Sequence, residues 1–237
     1  MITHLSNAFG RWRKEPLIPA VLLIIAGSLW GFVEISEEVT NRDARELDRA
    51  VLLWMREADD PSDPIGPAKV EEMGRDLTAL GGFTILTGLT VASVGIALFL
   101  GKPRTAGIIA VAITSGMFLT DILKRGFDRP RPELVPHGVV VTSMSFPSGH
   151  AMMAAVVYLT LGVLLARTQR QLALRIYLIA LSVVVTILVG VSRVYLGVHW
   201  PTDVLAGWTL GAAWALLFWL IAVKVDRPRG AGMVEKE

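Results

Sequence analysis

The chain has 237 residues, 53% of them hydrophobic, with a mean hydropathy of +0.54 and a formal net charge of only +2. That balance excludes a strongly basic nucleic-acid surface, and the absence of cysteine excludes disulfides, a thiolate nucleophile and cysteine metal sites. Charges gather between long uncharged stretches, which points to a membrane protein rather than a soluble domain.

The first uncharged run, 17–33, follows Arg11, Arg13 and Lys14. Glu34, Glu37 and Glu38 come next, where a signal peptide would carry a small-residue cleavage site, so a retained first helix is expected. The segment 34–76 holds six basic residues against 13 acidic ones. Within it Leu47, Ala50, Val51, Trp54 and Met55 recur at helical spacing, with Asp48, Arg49, Arg56 and Glu57 between them. They predict an amphipathic helix on the outer interface or a lid on the helix ends. Asp59-Asp60-Pro61, Pro64 and Pro67 then mark an irregular stretch.

Five further uncharged runs follow: 77–101, 105–120, 151–166, 176–192 and 204–223. With short extensions each matches the hydrocarbon thickness of a bilayer, and none has a polar stripe wide enough to face water. The expected fold is therefore all-α, a bundle of six transmembrane helices with an amphipathic segment between the first and second, in a single domain over 1–237. Basic residues concentrate in 1–16, 101–104, 167–175 and 224–237, which places both termini in the cytoplasm. Trp12, Trp30, Trp200 and Trp219 fall near run ends, as interface anchors do.

Three clusters of charge and histidine sit at the ends of these runs, where fixed charges are expensive. They are Lys124-(six residues)-Arg131-Pro132, Pro147-Ser148-Gly149-His150 and Ser192-Arg193-(five residues)-His199-(three residues)-Asp203. Alternating chain direction puts all three at the outer face. Ser148 is a candidate N-cap, and Pro201-Thr202 suits a helix start. Two helix N-termini would then direct free N–H groups at an oxyanion, and Gly149 would let the backbone approach it. Arg131 and Arg193 offer planar forks, and Lys124 a compact charge. Arg125, Arg129 and Glu133 flank the first motif and read as tuning access to it or as interface snorkelling, with the balance toward the latter. Asp121 reads as the helical ion-pair partner of Arg125 rather than as catalytic, and His4 and His137 as bystanders. Ser192 reads as an oxyanion donor or a helix-end hydroxyl, with the balance toward the former.

In order and spacing, the clusters resemble the three signature motifs of the type 2 phosphatidic acid phosphatase superfamily. It includes lipid phosphate phosphatases, bacterial undecaprenyl pyrophosphate phosphatases, glucose-6-phosphatase and vanadium haloperoxidases. The motif region spans 124–203 and no signature position is substituted. The resemblance implies that His199 is the nucleophile forming a phosphohistidine, that Asp203 orients it and that His150 is the general acid. Lys124, Arg131, Arg193, Ser148 and Gly149 would hold the phosphate. It implies no metal and no cofactor, since members are typically metal-independent. The expected partners are a phosphorylated membrane lipid and the bilayer, with no nucleic acid. The expected protein is a multi-pass protein of the inner (plasma) membrane with its site on the periplasmic or extracellular face. Undecaprenyl pyrophosphate is the first expected substrate. Phosphatidylglycerophosphate and phosphatidic acid are alternatives, as is phosphotransfer to a second lipid.

Overall fold

A computed structural model describes residues 17–137 and 143–225. Eight helical elements follow in chain order: α1 Leu17–Asn41, α2 Arg45–Trp54, α3 Ala68–Ala79, α4 Phe83–Phe99, α5 Pro103–Gly126, α6 Gly149–Thr168, α7 Leu172–Tyr195 and α8 Pro201–Val225. Among the described residues there is no strand, only an isolated bridge between Arg56 and Pro64.

Five helices, α1, α5, α6, α7 and α8, are each long and apolar enough to cross a membrane. The pair α3 and α4, bent by 45°, passes the same test only when the two helices are taken together as one span. The run 77–101 is thus not one straight helix. Gly81-Gly82 interrupts it, and Gly82 takes an extended conformation ahead of α4. The break lets the end of α3 meet the bundle: Leu80 accepts a 2.8 Å bond from the Tyr158 hydroxyl through its carbonyl, and the Thr78 side chain turns inward. Large apolar side chains on the outside, such as Leu23, Trp30, Phe99, Phe118 and Ile176, are exposed. On spanning helices this is the surface that lipid covers.

α8 is the central helix, packing against α1, α5, α6 and α7. Its approach to α6 depends on Gly207, where a Cβ would stand 2.9 Å from the Ser148 carbonyl oxygen and 3.0 Å from the Met152 nitrogen. Small residues four apart, Gly207 and Gly211, give membrane helices this close contact. It places Asp203, on the first turn of α8, beside the start of α6, and the Ser148 N–H donates to the Asp203 carbonyl at 3.0 Å. α6 carries a π-helical segment at Ala155–Leu159. An apolar cluster including Leu86, Ile109, Ala112, Val156 and Phe218 fills the middle of the bundle.

α2 docks on the helix ends by a face other than the one its apolar residues predict. Leu47 and Trp54 are exposed, whereas Asp48 and Leu52 are fully buried. Leu52 joins Val135, Ala151, Val194 and Val204 in a second apolar cluster. A charged residue can occupy the inner face because its carboxylate finds partners there.

Candidate active site

The ends of α5 and α7 and the starts of α6 and α8 meet at one end of the bundle, and they bring the three clusters together. Ser148 caps α6, its hydroxyl accepting from the Ala151 N–H at 3.5 Å. Its own hydroxyl hydrogen has no acceptor among the described residues. Phe146, buried between Phe32 and Phe127 with ring centroids 6.1 and 4.8 Å away, anchors the loop before it. Gly149 leaves room for the Lys124 stem: a Cβ there would lie 3.2 Å from its Cε. The Lys124 ammonium donates to the Met144 carbonyl at 2.7 Å.

Gly197 ends α7 with a positive φ of 71°, a conformation glycine adopts without the Cβ penalty. The turn folds the chain back so that the Val198 and His199 N–H groups both bond the Arg193 carbonyl. His199 is buried. Its Nδ1 lies 3.3 Å from Asp203 Oδ2, and Arg131 Nη1 stands 3.1 Å from its Nε2. A guanidinium only donates, so Nε2 accepts and the ring proton sits on Nδ1, facing Asp203. This is the tautomer that keeps a lone pair on Nε2. Burial holds the imidazole down to about 3, against the pull of its bond to Asp203. The ring is therefore neutral at neutral pH.

Arg131 is fixed by the Ser143 carbonyl at 2.7 Å and the Val198 carbonyl at 2.6 Å. Arg193 donates to the Thr78 hydroxyl at 2.8 Å, while its buried Nε–H has no partner. A buried donor without a partner is costly, and an arginine left this way in a polar pocket is suited to an incoming oxyanion. His150 makes no hydrogen bond among the described residues. It lies within electrostatic reach of Lys124, Arg131, Arg193 and His199. All eight residues singled out from the sequence thus gather here.

Five further residues belong to the network. Ser145 donates to Asp203 Oδ2 at 2.5 Å, as does the Trp200 N–H at 2.9 Å. Arg129 is not a snorkelling side chain: it bonds Asp203 Oδ1 at 2.6 Å and Asp48 Oδ2 at 2.5 Å. Its guanidinium lies 5.7 Å from the centre of the Trp200 ring. Trp200 donates to the Pro130 carbonyl at 3.0 Å, which ties it to this end of the bundle. Asp48 also accepts from the Thr202 N–H and hydroxyl, at 2.9 and 2.7 Å. The sequence held a signal for Arg129. It and Arg131 each precede a proline, which biases both toward extended backbone, and residues two apart on an extended chain point the same way.

Other expectations resolve differently. The Ser192 hydroxyl donates to the Val189 carbonyl of its own helix at 2.7 Å and is not aimed at the site. No ion pair joins Asp121 to Arg125 among the described residues. His137 bonds the Pro132 carbonyl at 2.7 Å, a loop contact consistent with a bystander. His4 and Trp12 lie outside the described residues.

The site holds four cationic side chains, Lys124, Arg129, Arg131 and Arg193, against two carboxylates, with a neutral imidazole between them. That arrangement can bind a phosphate, attack it and protonate a leaving group. Comparisons with known proteins point the same way. A sequence model of the PAP2 superfamily matches residues 105–227. The chain is 37% identical over 156 residues to phosphatidylglycerophosphatase B of Bacillus subtilis (strain 168), covering 64% of this chain and 73% of that protein. It is 42% identical over 71 residues to undecaprenyl-diphosphatase of Sulfolobus acidocaldarius, 30% of each chain. The fold matches the crystal structure of a transmembrane PAP2 type phosphatidylglycerolphosphate phosphatase from Bacillus subtilis, with TM-score 0.74 and 28% identity over 86% of this chain and 98% of that one.

Proposed function

The chain belongs to the PAP2 superfamily, and on that premise we propose that it is a metal-independent hydrolase of lipid phosphates working through a phosphohistidine at His199. The observation that carries this reading is the His199 ring itself: neutral, held by Asp203 on Nδ1, and presenting Nε2 to a guanidinium-lined space. The substrate phosphate would enter between Arg131 and His199, taking over the Arg131 Nη1 donor and the unpaired Arg193 Nε. Lys124, the Ser148 hydroxyl and the free N–H groups at the start of α6 complete the cradle.

In the first step Nε2 bonds to phosphorus as the bond to the leaving oxygen breaks, and His150 supplies that oxygen with a proton. In the second, His150 takes a proton from water. The hydroxide attacks phosphorus, the P–N bond breaks, and inorganic phosphate leaves. Fixed cations and helix ends stabilise the charge on the non-bridging oxygens in both steps.

For the substrate, we read a lipid whose headgroup carries a second phosphate. The longer match and the solved structure favour phosphatidylglycerophosphate, and the shorter match favours undecaprenyl pyrophosphate. A cavity of about 530 Å³ beside the network, sharing Arg129 and Trp200 with it and edged by Arg42, Arg45 and Arg49, offers room and positive charge for such a headgroup. The basic segments at 101–104 and 167–175 support an orientation with both termini cytoplasmic and the site on the periplasmic or extracellular face of the plasma membrane. We treat 1–237 as one integral membrane domain.

The test is phosphate release by the purified protein from phosphatidylglycerophosphate, undecaprenyl pyrophosphate, phosphatidic acid and a water-soluble phosphate ester. The expected order has either diphosphorylated lipid first and the soluble ester last. A preference for the soluble ester would contradict a lipid site. A phosphorylated acceptor lipid in place of free phosphate would convert the reading to phosphotransfer.

A further inference from the structure

Asp48 lies outside all three motifs, on the helix that precedes the second crossing, yet it is fully buried. A buried carboxylate persists only with partners, and those of Asp48 are specific. Thr202 N–H is one of the free donors on the first turn of α8, so Asp48 caps that helix from outside. Arg129 gives one amino group to Asp48 and the other to Asp203. A single guanidinium is thus shared between an acid on α2 and the acid that faces His199.

We propose that Asp48 is a positioning residue for the His199–Asp203 pair, an inference that rests on the reading of His199 as the phosphoryl acceptor. By holding one arm of Arg129 and the start of α8, Asp48 keeps the second oxygen of Asp203 directed at His199. Without it, Arg129 becomes a partly buried cation with one remaining carboxylate. The stable arrangement of such a pair is bidentate, with both amino groups on both oxygens. That geometry draws Oδ2 away from Nδ1, already at 3.3 Å. The Nδ1–H then loses its acceptor and the tautomer with a free Nε2 loses its support. The groups that grip phosphate, Lys124, Arg131 and Arg193, do not touch Asp48, so binding is left alone while the chemical step slows.

Simple docking of α2 would also require Asp48, and Leu52 separates the two roles. It lies one turn along the same buried face and packs in an apolar cluster with Val135, Ala151, Val194 and Val204. The experiment measures kcat, KM and Tm of the full chain in detergent micelles, with a short-chain phosphatidic acid as probe, for the wild type, D48N, L52A and H199A. D48N is expected to lower kcat about 10- to 100-fold, by analogy with the groups that orient metal-bound histidines, with KM changed less than about twofold. L52A is expected to lower Tm at least as far while keeping kcat within about threefold of wild type, because it removes packing and no polar contact. Should D48N fail to fold, the double variant D48N/R129Q removes the two paired charges together and is expected to show at least the same fall in kcat. A wild-type kcat in D48N or in that double variant overturns the proposal. So does an L52A protein that loses kcat as D48N does. Turnover by H199A would instead overturn the reading of His199, whereas an inactive H199A beside an unimpaired D48N overturns only this inference.

Discussion

Asp203→Asn isolates what the carboxylate does, because it keeps the shape of the side chain and removes its charge. In the structure both oxygens only accept. Oδ1 takes the Arg129 amino group at 2.6 Å, and Oδ2 takes the Ser145 hydroxyl at 2.5 Å and the Trp200 N–H at 2.9 Å, with His199 Nδ1 at 3.3 Å. An amide has one acceptor oxygen and one NH2, so every orientation sets N–H against N–H. Turning the NH2 toward Arg129 does least damage and gives up one charged hydrogen bond, a loss of about 1.5 to 3 kcal/mol in stability. The catalytic loss is larger. A histidine whose orienting carboxylate becomes an amide loses about 10⁴-fold in kcat in the serine-protease triad, which corresponds to about 5.4 kcal/mol of barrier at about 1.36 kcal/mol per decade. The same scale is expected here, because the amide cannot supply the negative charge that balances the imidazolium formed when Nε2 bonds phosphorus. Phosphate release from phosphatidic acid in mixed micelles gives kcat and KM, and the melting temperature of the same preparation reports the fold. A D203N protein that retains its Tm and keeps kcat within tenfold of wild type would refute the role assigned to Asp203.

The depressed His199 value sets a pH dependence of stability. Its folded value is pushed by burial below the unfolded value of about 6.5, so its contribution is complete above about pH 6.5 and is lost as pH falls toward about 3, where the unfolded chain holds the proton and the folded one does not. Melting temperatures taken from about pH 7.5 down to 4.5 should fall, and less steeply in H199Q; equal slopes would contradict a neutral buried ring. G207A places a methyl group 2.9 Å from the Ser148 carbonyl oxygen and 3.0 Å from the Met152 nitrogen, both backbone atoms. It should destabilise the protein by about 1 to 3 kcal/mol and lower kcat by parting Asp203 from the start of α6; wild-type Tm and kcat would show that the contact is not tight. The absence of native cysteine makes topology direct to read. A cysteine placed at Ser62 should react with an impermeant maleimide in intact cells and one at Arg170 should not, and the reverse pattern would invert the proposed orientation.

The spans and the three clusters were legible because each is a local signal: an uncharged run of bilayer length, or charged residues at fixed short spacing. What escaped was tertiary. The Arg129–Asp48 ion pair joins residues 81 apart, and in the sequence Asp48 is one of several acids between the apolar positions of an amphipathic helix. Its burial follows from the charge waiting on the other side, which no periodicity encodes. The apolar face of α2 misled for the same reason. Leu47 and Trp54 fit the helical pattern but turn outward, because the inner face had to carry Asp48 and Leu52 together. The interruption at Gly81-Gly82 was visible as residues, yet without the bundle nothing showed that Thr78 had to reach Arg193. Arg129 was the nearest miss, since its place before Pro130 matches that of Arg131 before Pro132.

The central claim is a covalent step at His199. Mixing the protein with lipid carrying radiolabelled phosphate and quenching in base within the first turnover should trap a phosphoprotein that is stable to alkali and lost in acid. Peptide mapping should place the label on His199, and the H199A protein should carry none. A label on any other residue, or full turnover with no labelled protein at any time, would contradict the account.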